Sequence, residues 1–189
     1  MLEKVEKNKI SNDFIKEGFL VRPVIDKKPL IWIKDEYIKI IKKELKKSNK
    51  KIPKNFDYLN NIHKLIRLAD LNNFRLKTIQ EINKKPQFAE NYYKLAKPFL
   101  DCLIGDELAM QQKINLSIQF PKDASSLLEV HADTWSGNSP FELVVWIPLV
   151  NCYKTKSMYI LPRYENPSFE KKYKKNKDKQ FHIFKKIKK

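Results

Sequence analysis

The sequence predicts an α+β domain, helical in its first half and β-rich in its second. Three observations lead there. Apolar residues recur with a period near 3.6 from Ile33 to Leu95, and the period falls to 2 from Ile114 onward. The chain is also 42% hydrophobic and 12% aromatic, more than a disordered chain carries. At 189 residues it suffices for one hydrophobic core, so a single domain over residues 1–189 is expected. Helices followed by strands make that domain a helical layer on a β-sandwich or barrel.

The helical half is expected over residues 12–110. After a polar leader, NDFIKEGFLVRPVID carries Phe14, then Gly18 and Phe19 and a short extended apolar run to Val24. LIWIKDEYIKIIKKELKK sets Ile33, Tyr37, Ile41 and Leu45 on one helical face with lysines opposite, which predicts a helix docked on an apolar surface. Pro53 breaks the pattern, and a second helix is expected through Leu59, Ile62, Ile66 and Ala69. His63 lies beside that stripe and reads as a partly exposed helix histidine rather than a ligand. A third helix is expected through Leu76, Ile79 and Ile82. A fourth follows Pro86 through Phe88, Tyr92 and Leu95, and Pro98 restarts or kinks it.

The β half is expected over residues 114–162. INLSIQF alternates Ile114, Leu116, Ile118 and Phe120 with Asn115, Ser117 and Gln119, the pattern of a strand with one apolar and one polar face. After the turn PKDAS, Leu128, Val130 and Ala132 alternate with Glu129, His131 and Asp133. A loop at Gly137 to Pro140 precedes FELVVWIPL, whose nearly continuous apolar run predicts burial on both faces, and SMYILP is a shorter fourth strand. Residues 163–189 are lysine-rich without a clean period and read as a solvated tail.

The net charge of +17 raises a basic nucleic-acid-binding alternative. Its basic residues argue against it: only Arg22, Arg67, Arg75 and Arg163 supply the bidentate fork that reads phosphates and guanine edges, and the rest are lysines. Cys102 and Cys152 stand far apart without a CxxC and are expected to be free thiols in a reducing compartment. The N-terminus lacks the apolar core of a secretory signal, and no run reaches the ~20 apolar residues of a membrane span. A cytoplasmic protein without a membrane partner is expected.

The chemistry centres on EVHADTW. Residues i and i+2 of a strand share a face, so His131 and Asp133 project together, an imidazole nitrogen beside a carboxylate oxygen. Such a pair forms two of the three ligands of a 2-His-1-carboxylate facial triad, the arrangement of non-haem Fe(II) oxygenases. Taken alone the motif is weak, and a polar pair at a strand edge is its plain structural alternative.

Its surroundings add to it. INLSIQFP, EVHADTWSGNSPFELVVWIPLV and SMYILP resemble the 2-oxoglutarate/Fe(II)-dependent oxygenases. The similarity is to the phytanoyl-CoA-hydroxylase-like group and its relatives in carbohydrate-biosynthesis gene clusters, over about residues 12 to 162. The resemblance implies a double-stranded β-helix (a jelly roll, cupin-like) with helices packed outside it. It also implies Fe(II) on His131 and Asp133, 2-oxoglutarate as cosubstrate, O₂, and a hydroxylation of a sugar or other small metabolite. Gln119 and Trp135 are candidates for the cosubstrate or substrate pocket, although a surface glutamine and an anchored loop tryptophan are equally ordinary readings.

The family pattern further requires a distal histidine and, about ten residues later, an arginine that pairs with the 2-oxoglutarate carboxylate. After Asp133 this sequence offers only His182, and its last arginine is Arg163. His182 is therefore the third metal candidate, and the resemblance implies that the closing strands of the roll are missing. A catalytically inactive member of the same fold is the alternative expectation.

Overall fold

In a computed structural model of the chain, the structure describes residues 3–46, 52–124, 126–128, 131–168 and 171. The helices are α1 (Lys4–Glu17), α2 (Lys28–Lys46), α3 (Tyr58–Asn61), α4 (Leu71–Asn83) and α5 (Pro86–Leu103), with short 3-10 turns between and after them. The chain divides into two compact units, one of Pro23–Leu127 and Val144–Cys152, the other of Met1–Arg22, Leu128–Leu143 and Tyr153–Lys189.

The first unit is built on α2, α4 and α5. The Asp26 carboxylate accepts from the Lys28 amide at 2.9 Å as α2 starts, and Pro29 sits in the first turn, where its missing N–H leaves no bond unmade. Ile33, Tyr37, Ile40, Ile41 and Leu45 are buried along one side of α2, close to the periodicity of the sequence. Ile33, Tyr37 and Ile40 join Ile82, Phe88, Leu95 and Ile114 in one core cluster, where Tyr37 meets Phe88 edge-on at 5.9 Å. Ile41 and Leu45 join Ile62, Leu65 and Phe74 in a second. Helix α5 runs unbroken through Pro98, and the Cys102 thiol donates to the Pro98 carbonyl at 3.1 Å.

Two helical expectations are refined. Around Leu59 the expected second helix is only α3 followed by 3-10 turns at Ile62–Lys64 and Leu68–Asp70. The buried face of α4 is Leu71, Phe74, Thr78 and Ile82, while Leu76 faces solvent. Thr78 is accommodated because its hydroxyl donates to the Phe74 carbonyl at 2.8 Å.

The β half departs from expectation. No β-strand forms among the described residues, so the double-stranded β-helix is not shown and the α+β jelly-roll assignment is corrected to a helical fold with extended segments. Burial does alternate along 114–120, with Ile114, Leu116, Ile118 and Phe120 inward and Asn115, Ser117 and Gln119 exposed. What is missing is the ladder, because a strand exists only through hydrogen bonds to a neighbour.

Side chains from the helices take the neighbour's place at two points. The Asn83 amide donates to the Ile114 carbonyl at 3.0 Å and its oxygen accepts from the Ile114 N–H at 2.8 Å. The Tyr92 hydroxyl donates to the Val145 carbonyl at 2.6 Å. The expectation that FELVVWIPL is buried on both faces is likewise corrected: Leu143, Val145, Ile147 and Leu149 are half-buried, whereas Val144 is 66% exposed and Trp146 46%. Ile147 and Leu149 pack against the helical core, while Val144 and Trp146 are the more exposed side chains between them and Leu143.

In the second unit the expected polar leader is α1, which buries Ile10 and leaves Val5 and Ile15 exposed. Gly18 ends it with φ 81°, its N–H donating to the Phe14 carbonyl at 2.8 Å. A side chain there would be strained, and its Cβ would come 3.1 Å from the Arg163 Cβ, in the 3-10 turn Arg163–Glu165 that packs on α1. Of the expected strand at SMYILP, Met158, Tyr159 and Ile160 stand exposed and non-helical.

Candidate functional site

The backbone at Ala132 is extended, with φ −117° and ψ 138°, and it places His131 and Asp133 on the same side of the chain as their spacing predicts. The chain does not continue as a strand. Asp133 opens a 3-10 turn, Asp133–Ser136, in which the Trp135 N–H donates to the Ala132 carbonyl at 2.8 Å. Gly137, with φ 92°, ends the turn, and the Asn138 N–H closes back on the Asp133 carbonyl at 3.3 Å.

Within this turn the His131 Nε2 stands 3.5 Å from an Asp133 carboxylate oxygen, and both side chains are close to half exposed. Both side chains are therefore partly accessible to solvent. Among the described residues no group of three His, Cys, Asp or Glu side chains comes together. Of the expected metal centre of His131, Asp133 and His182, two members meet, and His182 lies outside the described residues. Two donors fall short of the three that a facial triad requires, so the described residues do not by themselves fit an iron centre.

Trp135 is in the same turn as Asp133 and is 54% exposed. Gln119 is exposed, as the polar side of its segment predicts, and it belongs to the helical unit. Arg163 lies against Gly18 at the end of α1. Glu129, which precedes the motif, is outside the described residues. His63 is half-buried and meets Phe120 edge-on at 6.4 Å, which supports its structural reading.

Charge clusters were not foreseen. Glu36, on the buried side of α2, accepts from Lys39 at 2.6 Å and forms an ion pair with Lys85 at 2.7 Å, and the two lysines hold its carboxyl below the usual glutamate range. Glu81 is held low in the same way by Lys84 and Lys43. Lys39, Ile40, Lys43, Glu81, Lys84 and Lys85 line a shallow cavity of about 250 Å³ in which the lysines are already paired with carboxylates. A second cavity of about 320 Å³ beside α1 is lined by Glu6, Lys9, Ile10, Asp13 and Arg22. The signal for the first cluster was in the sequence, since Glu36 and Lys39 are three apart on a helix, but its Lys85 partner is not legible from spacing.

Burial pushes the Tyr92 hydroxyl up to about 12, consistent with a neutral donor to Val145 rather than an acid or base. No helix among the described residues is long and apolar enough to cross a membrane. No family model, curated protein or solved structure matches the chain.

Proposed function

We propose that the chain is a non-haem Fe(II)- and 2-oxoglutarate-dependent oxygenase of a small metabolite, a sugar or carbohydrate precursor, with His131 and Asp133 as its metal-binding pair. The supporting observation is their convergence: an imidazole nitrogen and a carboxylate oxygen 3.5 Å apart, on side chains about half exposed, inside the sequence context that resembles those oxygenases. A neutral imidazole and an ionised carboxylate are the donors Fe(II) accepts. The chain's own part is to hold the two at one side of a turn that Gly137 closes.

A second reading is favoured by the missing third donor among the described residues: a protein of the same origin that does not catalyse. The two readings separate on one measurement, succinate formed from 2-oxoglutarate by the full chain with Fe(II), ascorbate and O₂. The oxygenase reading expects Fe(II)-dependent succinate that His131→Ala and Asp133→Ala each abolish. Succinate surviving both changes removes the pair from the function. No succinate, together with no heat of Fe(II) or 2-oxoglutarate binding by calorimetry, leaves the non-catalytic reading standing.

A further inference from the structure

We propose that the segment Ile114–Phe120 accepts an extended strand from an acidic polypeptide. The proposal concerns residues apart from His131 and Asp133 and does not rest on their role. The segment is packed like a sheet strand and lacks the sheet. Its inner side chains are held by the helical core, with Ile114 and Leu116 in one cluster and Ile118 and Phe120 against the other. Asn83 satisfies both backbone groups of Ile114. From Asn115 to Gln119, no backbone N–H or C=O has a hydrogen-bond partner among the described residues.

A row of unpaired donors and acceptors on a segment whose inner face is fixed is a template for strand addition. The backbone thus specifies the occupant's conformation. The pleat specifies its pattern, apolar at every second position, so that its inner side chains continue the layer of Leu116 and Ile118. The other extended segment is a poorer acceptor. Pro148 interrupts it without an N–H, and Tyr92 occupies the Val145 carbonyl.

Charge specifies the flanks. Exposed Lys113 and Lys122 bracket the segment, and the chain as a whole carries +17. Asp123, the acidic neighbour, is engaged by the Ser126 hydroxyl at 3.0 Å. A second copy of this chain would bring the same charge to the contact, whereas acidic residues at both ends of a donor strand meet a lysine at each end. A donor of about seven residues matches the segment at ~3.3 Å per residue.

The test uses the full chain and a fluorescein-labelled peptide of alternating valine and threonine with two glutamates at each end, followed by fluorescence anisotropy. Saturable binding is expected, weakening at least about tenfold when lysines replace the glutamates. It should also be lost when alternate peptide amides are N-methylated, a change that leaves the protein untouched. Ser117→Pro and Ile118→Pro remove an N–H from opposite edges; one of them should weaken binding with the helical circular dichroism unchanged, while His131→Ala leaves it as it was. Absent binding, or equal binding of the lysine-flanked or N-methylated peptide, overturns the proposal. A concentration-dependent dimer in sedimentation velocity that one of the proline variants abolishes would assign the segment to a second copy, and would overturn the acidic partner.

Discussion

Phe88 in α5 and Phe141 in the loop after the His131 turn are the same side chain in opposite circumstances, 1% and 94% exposed. The contrast extends to their regions. Around Phe88 the helices satisfy their own backbones, and their apolar faces need only meet each other to bury a core. Phe141 stands in a loop, and Val144 and Trp146 stand on an extended segment beside which no strand ladder forms among the described residues. Helical structure is local, and sheet structure is a relation between distant pieces of chain.

Mutations sharpen this contrast, and the largest effect is expected in the helical core. Phe88→Ala should cost ~3–5 kcal/mol in urea denaturation, since it empties the contact with Tyr37 and Tyr92. Asn83→Ala comes next, at ~1–3 kcal/mol, because it leaves both backbone groups of Ile114 without partners. A loss below a few tenths would show that the extended segment does not depend on its side-chain pin. Glu36 gives a gentler, pH-dependent effect. Its folded carboxyl titrates below the ordinary glutamate value, so its stabilising contribution is present at neutral pH and is lost as pH falls through the glutamate range and below. Glu36→Gln should flatten that part of the stability profile, and an unchanged acid limb would remove Glu36 from it. Smallest of all, Phe141→Ala should fall within about 0.5 kcal/mol. A loss as large as that at Phe88 would erase the distinction between the two regions.

The helical half was legible because period 3.6 reports a local structure. Ile33, Tyr37, Ile41, Phe88 and Leu95 were placed inward from spacing alone, and they are buried. The α4 stripe was misread by choosing Leu76 over Phe74 and Thr78, since a threonine that bonds its own helix looks polar in a sequence. Alternation along 114–120 was read correctly as alternating burial, yet alternation states only which side chains face the same way. It is silent on whether another strand lies alongside. For the same reason the spacing of His131 and Asp133 carried their convergence, while a third ligand, being distant in sequence, was beyond any local pattern.

Asn83 gives this protein an internal clock. The Ile114 amide is held by a side chain rooted in α4, while the amides from Asn115 to Gln119 have no such hold among the described residues. In deuterated solvent the latter should exchange almost as fast as those of a free peptide. The Ile114 proton should wait for the helix to release it. Its exchange lifetime would therefore time the opening of the helical scaffold from a position outside any helix, with fast-exchanging neighbours as the built-in reference.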